Sequence, residues 1–231
     1  MQRSISIIEY KVRQAHFFLE KIAQAGLDFF AAQCFVDAFV IATRSITFSM
    51  QAVISGVPEF DKWYEGKQAI LKKDTISQFF NKYRTVSTHI GDTVVRSGSV
   101  GRDASGRRIA EYYFTPIPDL PDIPGQDVLS VCKHHFKMLL ELVFDLFVAF
   151  RYQIDERWYY TRENFRRLGK TIEYAEQELG FPRGWTDVSE ASSEPERWAA
   201  LRRTQTVGCE LNALFLQYLG KQVEGPDSNT E

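Results

Sequence analysis

The stretch Asp74–Gly91, DTISQFFNKYRTVSTHIG, decides how this chain is read. Asp74 has the character of an N-cap, because its carboxylate can accept from the free amides of a first helical turn. Ile76, Phe79, Phe80 and Tyr83 then recur at helical spacing and face a core. Gly91 supplies the stop. Arg84 and His89 fall in the last turns, separated by four residues. On an α-helix five steps amount to about 500°, so the two side chains diverge by roughly 140° and flank a groove instead of stacking. Thr85, Val86, Thr88 and Ile90 are β-branched, which weakens the helix here. Their alternation also allows a strand with His89 on the opposite face.

Before this stretch the chain reads as a helical frame. Ile7–Gln24 has an inward stripe of Ile8, Val12, Ala15, Phe18, Leu19 and Ile22, and Gly26 ends it. Leu27–Val53 is apolar nearly all round and reads as a central helix surrounded by other elements. Asp37, Arg44 and Gln51 recur every seven residues along it, each step returning within about 20° of one direction. That polar stripe either forms an internal network, with Asp37 reaching Arg44 through neighbours, or supports a cleft at Arg84 and His89. Trp63–Lys73 reads as a short helix that packs through Trp63, Ala69 and Ile70. Lys72 and Lys73 make its end basic and are candidates for holding a phosphate backbone.

This half of the chain resembles bacterial members of the HEPN superfamily (higher eukaryotes and prokaryotes nucleotide-binding domain). The resemblance rests on Arg84 followed by His89 and on the order of an early aromatic helix, ATRSITFSMQ (42–51), WYEGKQAILKKD (63–74) and FFNKYRTVSTH (79–89). It covers roughly residues 7–91. It implies a helical bundle and a metal-independent endoribonuclease acting as a homodimer, a stress or phage-defence effector with its motifs across a shared cleft. His89 would then move a proton as a ribose 2′-hydroxyl attacks, and Arg84 would bind the scissile phosphate. Asp37, Arg44, Gln51, Thr85 and Thr88 are supporting candidates. Thr85 stands where active members commonly carry Asn. Gly91 stands where the subgroup modified by a nucleotidyltransferase carries tyrosine, which argues against that regulation. The alternative is a noncatalytic helical module that binds a protein, a nucleotide or RNA.

After Gly91, Thr93–Val100 and Arg107–Thr115 alternate like strands around the turn-rich GRDASG (101–106), predicting a β-hairpin. Arg96, Arg102, Arg107 and Arg108 gather on it as candidate RNA contacts. Pro116, Pro118, Pro121 and Pro124 make an extended linker. Asp127–Gln153 is a strong amphipathic helix, followed by an arginine- and aromatic-rich segment from Ile154 to Arg167. That pattern fits either a packed aromatic edge or a base-stacking surface. A helix over Thr161–Leu179 and a last one from the capping box Ser193-Glu194-Pro195-Glu196 to Leu219 complete the chain. Residues 223–231 read as a disordered tail.

The fold expected is therefore mainly α, with residues 1–222 as one domain. Within it, 1–91 carry the motif, 92–115 the hairpin, 116–126 the linker and 127–222 the C-terminal helices. The net charge of −2 gives no global basic field, so any RNA site must be local. Cys34, Cys132 and Cys209 form no CxxC pair and read as buried thiols in a reducing compartment. Cys132, His134 and His135 lack a second ligand pair, so neither metal nor cofactor is expected. No secretory signal is apparent, and Asp37 and Arg44, like Glu141 and Asp145, interrupt the apolar runs. A cytoplasmic protein with no membrane contact is expected. RNA and a second copy are its expected partners, with a protein regulator as a further candidate.

Overall fold

The computed structural model of the protein describes residues 4–102, 104–106, 108–188, 193–204 and 209–226. It is mainly helical, with one two-stranded antiparallel sheet among the described residues. The chain was expected to form one domain. It divides into two compact units, Met1–Leu142 and Val143–Glu231, and the division falls inside a helix and not at the proline-rich segment.

In the first unit, helix α1 (Ser6–Gln24) buries Ile8, Val12, Ala15, Leu19 and Ile22. Helix α2 (Phe29–Ile54) begins at Asp28, which accepts from the Ala31 amide at 2.9 Å. It buries Val36, Phe39, Val40, Ile46 and Met50 against its neighbours. It is not enclosed all round, however: Phe30, Ile41 and Phe48 are exposed, as is Cys34. By length and composition α2 is the one helix among the described residues able to cross a membrane, so Asp37 and Arg44 do not exclude a span as expected. A core helix meets the same test.

Helix α3 (Phe60–Leu71) packs through Phe60 and Tyr64. Ala69 and Ile70, expected inward, face outward, because the buried face falls on the earlier aromatic pair. Helix α4 (Thr75–Thr85) starts where Asp74 accepts from the Ser77 amide at 2.7 Å. It buries Phe79, Phe80 and Tyr83. Val86–Ile90 form a π-helical turn instead of a strand, closed by the Gly91 amide on the Val86 carbonyl at 3.1 Å. Gly91 ends it at φ +76°, a conformation that favours glycine.

Strands β1 (Val95–Arg102) and β2 (Arg108–Phe114) pair antiparallel out to Arg102 opposite Arg108, which leaves a shorter turn than expected. Phe114 seats the hairpin against Phe79, with ring centroids 4.8 Å apart. Tyr112 donates to the Gly26 carbonyl at 2.7 Å. The proline-rich segment is not simply extended, since Ile117 and Leu120 bridge each other and are buried. Helix α5 (Val128–Ala149) follows and crosses into the second unit.

In the second unit the helix expected over Thr161–Leu179 is broken. Short helices α6 (Arg151–Ile154) and α7 (Glu156–Tyr159) precede it, and α8 (Arg162–Arg167) and α9 (Ile172–Glu178) replace it, with Gly169 at φ +66° between the last two. Helix α10 (Glu194–Arg203) opens on the Ser193 capping box, and α11 (Asn212–Leu219) closes at Gly220. The last helix is thus two, and residues 205–208 lie outside the described residues. Tyr160, Phe165, Ile172, Ala175, Trp198 and Leu201 form the core. The beginning of the expected tail is held: Val223 exchanges two hydrogen bonds with Asn212, and Trp158 donates to the Glu224 carbonyl at 2.9 Å. Residues 227–231 lie outside the described residues.

Candidate functional site

A cavity of about 210 Å³ opens within the first unit, and α2, α3, α4 and α5 all contribute to its walls. One water needs ~10–15 Å³ of such space, so a multi-atom ligand fits. Arg44 from α2 and Arg84 from α4 line it, with Lys72 at the end of α3. Gln68, Gln78 and Asn81 add neutral hydrogen-bonding groups, and no lining residue is acidic.

Neither arginine forms an ion pair with a described residue, and the buried Nε of each lacks a hydrogen-bond partner there. Arg44 Nη1 donates to Thr47 Oγ1 at 3.4 Å and its guanidinium lies 4.3 Å from the centre of the Phe48 ring. Arg84 Nη2 donates to Thr85 Oγ1 at 3.4 Å. Burial lowers the Arg44 pKa; Tyr64 opposes this, while the like charge on Arg84 adds to it. Buried cations are normally paired, because desolvation without a counter-charge is costly. Two such guanidiniums at one cavity make a site that favours an anion.

The cavity floor is apolar and neutral. His135 from α5 stacks on Phe80 with centroids 4.5 Å apart, and its Nδ1 lies 3.5 Å from Ser77 Oγ. Burial pushes its pKa down to about 3, with Asp74 opposing and His134 reinforcing that shift. His135 is therefore uncharged near neutral pH. His134 pairs with Asp74 at 3.4 Å. No group of three or more metal-ligating side chains comes together among the described residues.

His89 does not line this cavity. It is exposed on the π turn and has no hydrogen bond or ion pair among the described residues. A π turn takes more residues to complete a circle than an α turn, so five steps past Arg84 overshoot by less than the roughly 140° of a regular helix. Thr85 donates to the Asn81 carbonyl at 3.3 Å, and Thr88 is exposed.

The period-seven stripe of α2 does not form one network. Asp37 accepts from the Tyr83 hydroxyl at 2.6 Å, with Thr93 Oγ1 3.0 Å from the same hydroxyl. Gln51 instead donates to the Thr47 carbonyl and to Tyr64 Oη, at 3.1 and 3.3 Å. No Asp37–Arg44 pair forms among the described residues, because α4 takes Asp37 and the cavity takes Arg44. Burial pushes the Asp37 carboxyl up, and hydrogen bonds from Tyr83 and Ser87 hold it back.

The hairpin arginines are divided. Arg96 is committed to Asp92 at 2.5 and 2.7 Å, and Arg102 ties the loop through the Gly106 carbonyl at 2.8 Å. Arg108 is exposed; Arg107 lies outside the described residues. Lys73 is exposed at the end of α3, outside the cavity. In the second unit Arg157 pairs with Asp155, and Arg162 and Arg166 with Glu194, which fits the packed aromatic edge.

Sequence reasoning missed Tyr64, Gln68, Gln78, Asn81 and His135 as lining residues. A signal existed for two of them, since Gln78, Asn81 and Arg84 step along α4 at i, i+3, i+6. Compared with known proteins, the chain matches no family model, no curated protein and no solved structure.

Proposed function

We propose that the protein is a HEPN-type, metal-independent endoribonuclease that acts as a homodimer. The observation that carries the reading is an arginine with no carboxylate partner among the described residues, facing a cavity, followed one π turn later by an exposed histidine. Arg84 holds the scissile phosphate and stabilises the negative charge that grows on it. The 2′-hydroxyl attacks phosphorus and loses its proton to one imidazole, while the 5′-oxygen leaves with a proton from a second. The products are a 2′,3′-cyclic phosphate and a 5′-hydroxyl end. Each chain supplies one His89, so a second copy provides the other.

The exposed stripe Phe30, Ile41, Phe48 on α2 supports the dimer, because it is an apolar line that another copy can cover. Purified protein is expected to cut RNA in the presence of EDTA and leave cyclic-phosphate ends. Arg84→Ala and His89→Ala each reduce the rate by about 10²–10⁴. Protein that is folded and dimeric yet leaves RNA intact sinks the reading. A noncatalytic binding module is the second reading, favoured by one observation: His89 stands outside the cavity that Arg84 lines. It predicts RNA or nucleotide retention that His89→Ala does not alter.

A further inference from the structure

We propose that the cavity is a binding site for a phosphate monoester on a ribonucleoside, gripped by Arg44 and Arg84 together. Arg84 is shared with the ribonuclease reading, but Arg44 lies on another helix, outside the Arg84–His89 pair, and binding here does not require cleavage.

Charge is the first argument. Arg44 and Arg84 face one cavity, each with a buried Nε that lacks a partner among the described residues, and Lys72 adds a third cation at the rim. A monoanionic carboxylate leaves one guanidinium uncompensated. A phosphate monoester carries about −1.5 to −2 at neutral pH, near the charge of the two forks, and offers three strong acceptor oxygens. Guanidinium groups match phosphate oxygens in pairs, which makes arginine the suitable residue for this geometry.

Space and lining are the second argument. At about 210 Å³ the cavity has room beyond a phosphate group. The stacked Phe80 and His135 rings form an uncharged floor, while Gln68, Gln78 and Asn81 offer amides to hydroxyl and ring-nitrogen atoms. A flat, polar-edged organic group joined to a phosphate suits such a lining. The same chemistry arises from a free nucleoside monophosphate and from the 5′-phosphorylated end of an RNA chain.

Isothermal titration in EDTA tests this with the full chain, using 5′-AMP and adenosine. The RNA arms use the His89→Ala chain, so that cleavage does not intervene, with 5′-phosphorylated and 5′-hydroxyl forms of one short oligoribonucleotide. AMP is expected to bind at least about tenfold more tightly than adenosine. Arg44→Ala weakens AMP binding by about 10- to 100-fold, as loss of a charge-assisted hydrogen bond implies. Arg44→Lys, which keeps the charge but not the fork, falls between, and serves if the alanine variant fails to fold. Lys137→Ala, an exposed cation of α5 outside the cavity, leaves binding unchanged.

Tighter binding of 5′-phosphorylated RNA than of AMP identifies an RNA end as the ligand; equal or weaker binding identifies the free nucleotide. Either supports the site. Folded wild type that binds neither AMP nor 5′-phosphorylated RNA overturns it, as does affinity indifferent to Arg44 or to the 5′-phosphate. A chain that binds AMP through Arg44 yet cuts no RNA separates this site from the ribonuclease reading.

Discussion

At the scale of single residues, the chemistry is set by which polar groups burial leaves neutral and which it leaves charged. His135 is held neutral, its pKa pushed to about 3 by desolvation, whereas an unfolded imidazole takes a proton near 6.5. Its contribution to stability is complete above pH 6.5 and is lost as pH falls from there toward 3. Each pH unit inside that window costs up to about 1.4 kcal/mol. Chemical denaturation at pH 7.5 and pH 4.5 is expected to differ by about 2–3 kcal/mol from this group. His16, also lowered by burial, adds a loss of the same sign. His135→Gln flattens the dependence, and an unchanged slope contradicts the assignment. Tyr83 gives a second case. Its hydroxyl donates to a carboxylate that burial disfavours, so Tyr83→Phe should cost about 1–3 kcal/mol in urea denaturation. The polar stripe through Asp37 and Arg44 was legible because charge in an apolar helix stands out. Its partners were not, since Tyr83 lies 46 residues from Asp37 in sequence and no local pattern records that approach. His134 and His135 were visible as neighbours, but only packing distinguishes the one on Asp74 from the one on Phe80.

At the scale of elements, caps and stripes were readable and breaks were less so. Asp74 and Ser193 cap helices as their side-chain chemistry implies, whereas Asp28, the cap of α2, falls inside the helix expected from Leu27. The β-branched run after Arg84 signalled weak α propensity, but it left a strand and a helix both open. The chain resolves the conflict with a wider turn, keeping helical bonding while moving His89 around the axis. Gly91 is the pivot of that solution. Gly91→Ala leaves room for the added methyl, with nothing within 4 Å, yet forces a left-handed conformation on an L-residue. The expected cost is about 1–2 kcal/mol, read as a lower denaturation midpoint. If the turn positions His89, RNA cleavage falls with it while AMP affinity stays, because no residue of the turn lines the cavity. A neutral effect on stability rules out the strain argument. The broken segment after Ile154 was hidden for a related reason: its aromatics recur at helical spacing, and Gly169 reads equally as a tolerated interior glycine or as a stop.

At the scale of the whole molecule, the helical class and the hairpin followed from periodicity and turn chemistry, but the division of the chain did not. Prolines suggested an extended linker over residues 116–126 inside one domain, whereas Ile117 and Leu120 are buried and the compact units part at Leu142 and Val143. A continuous helix conceals such a boundary, because its local pattern is unbroken where its packing partners change. The outward face of α2 was missed in the same way: overall apolarity does not say which stripe meets solvent. Phe30, Ile41 and Phe48 are eleven and seven residues apart, about three and two turns, so they lie on one line. A twofold axis across that line lets the stripe meet itself. Ile41→Glu places a charge at its centre and alters no residue lining the cavity. Light scattering is expected to give twice the chain mass for wild type and the chain mass for Ile41→Glu. Because each copy holds a complete cavity but only one His89, the variant should keep its affinity for AMP and lose at least about tenfold in RNA cleavage. A monomeric wild type that cuts RNA would show that one imidazole suffices, and the second copy would have no part in the chemistry.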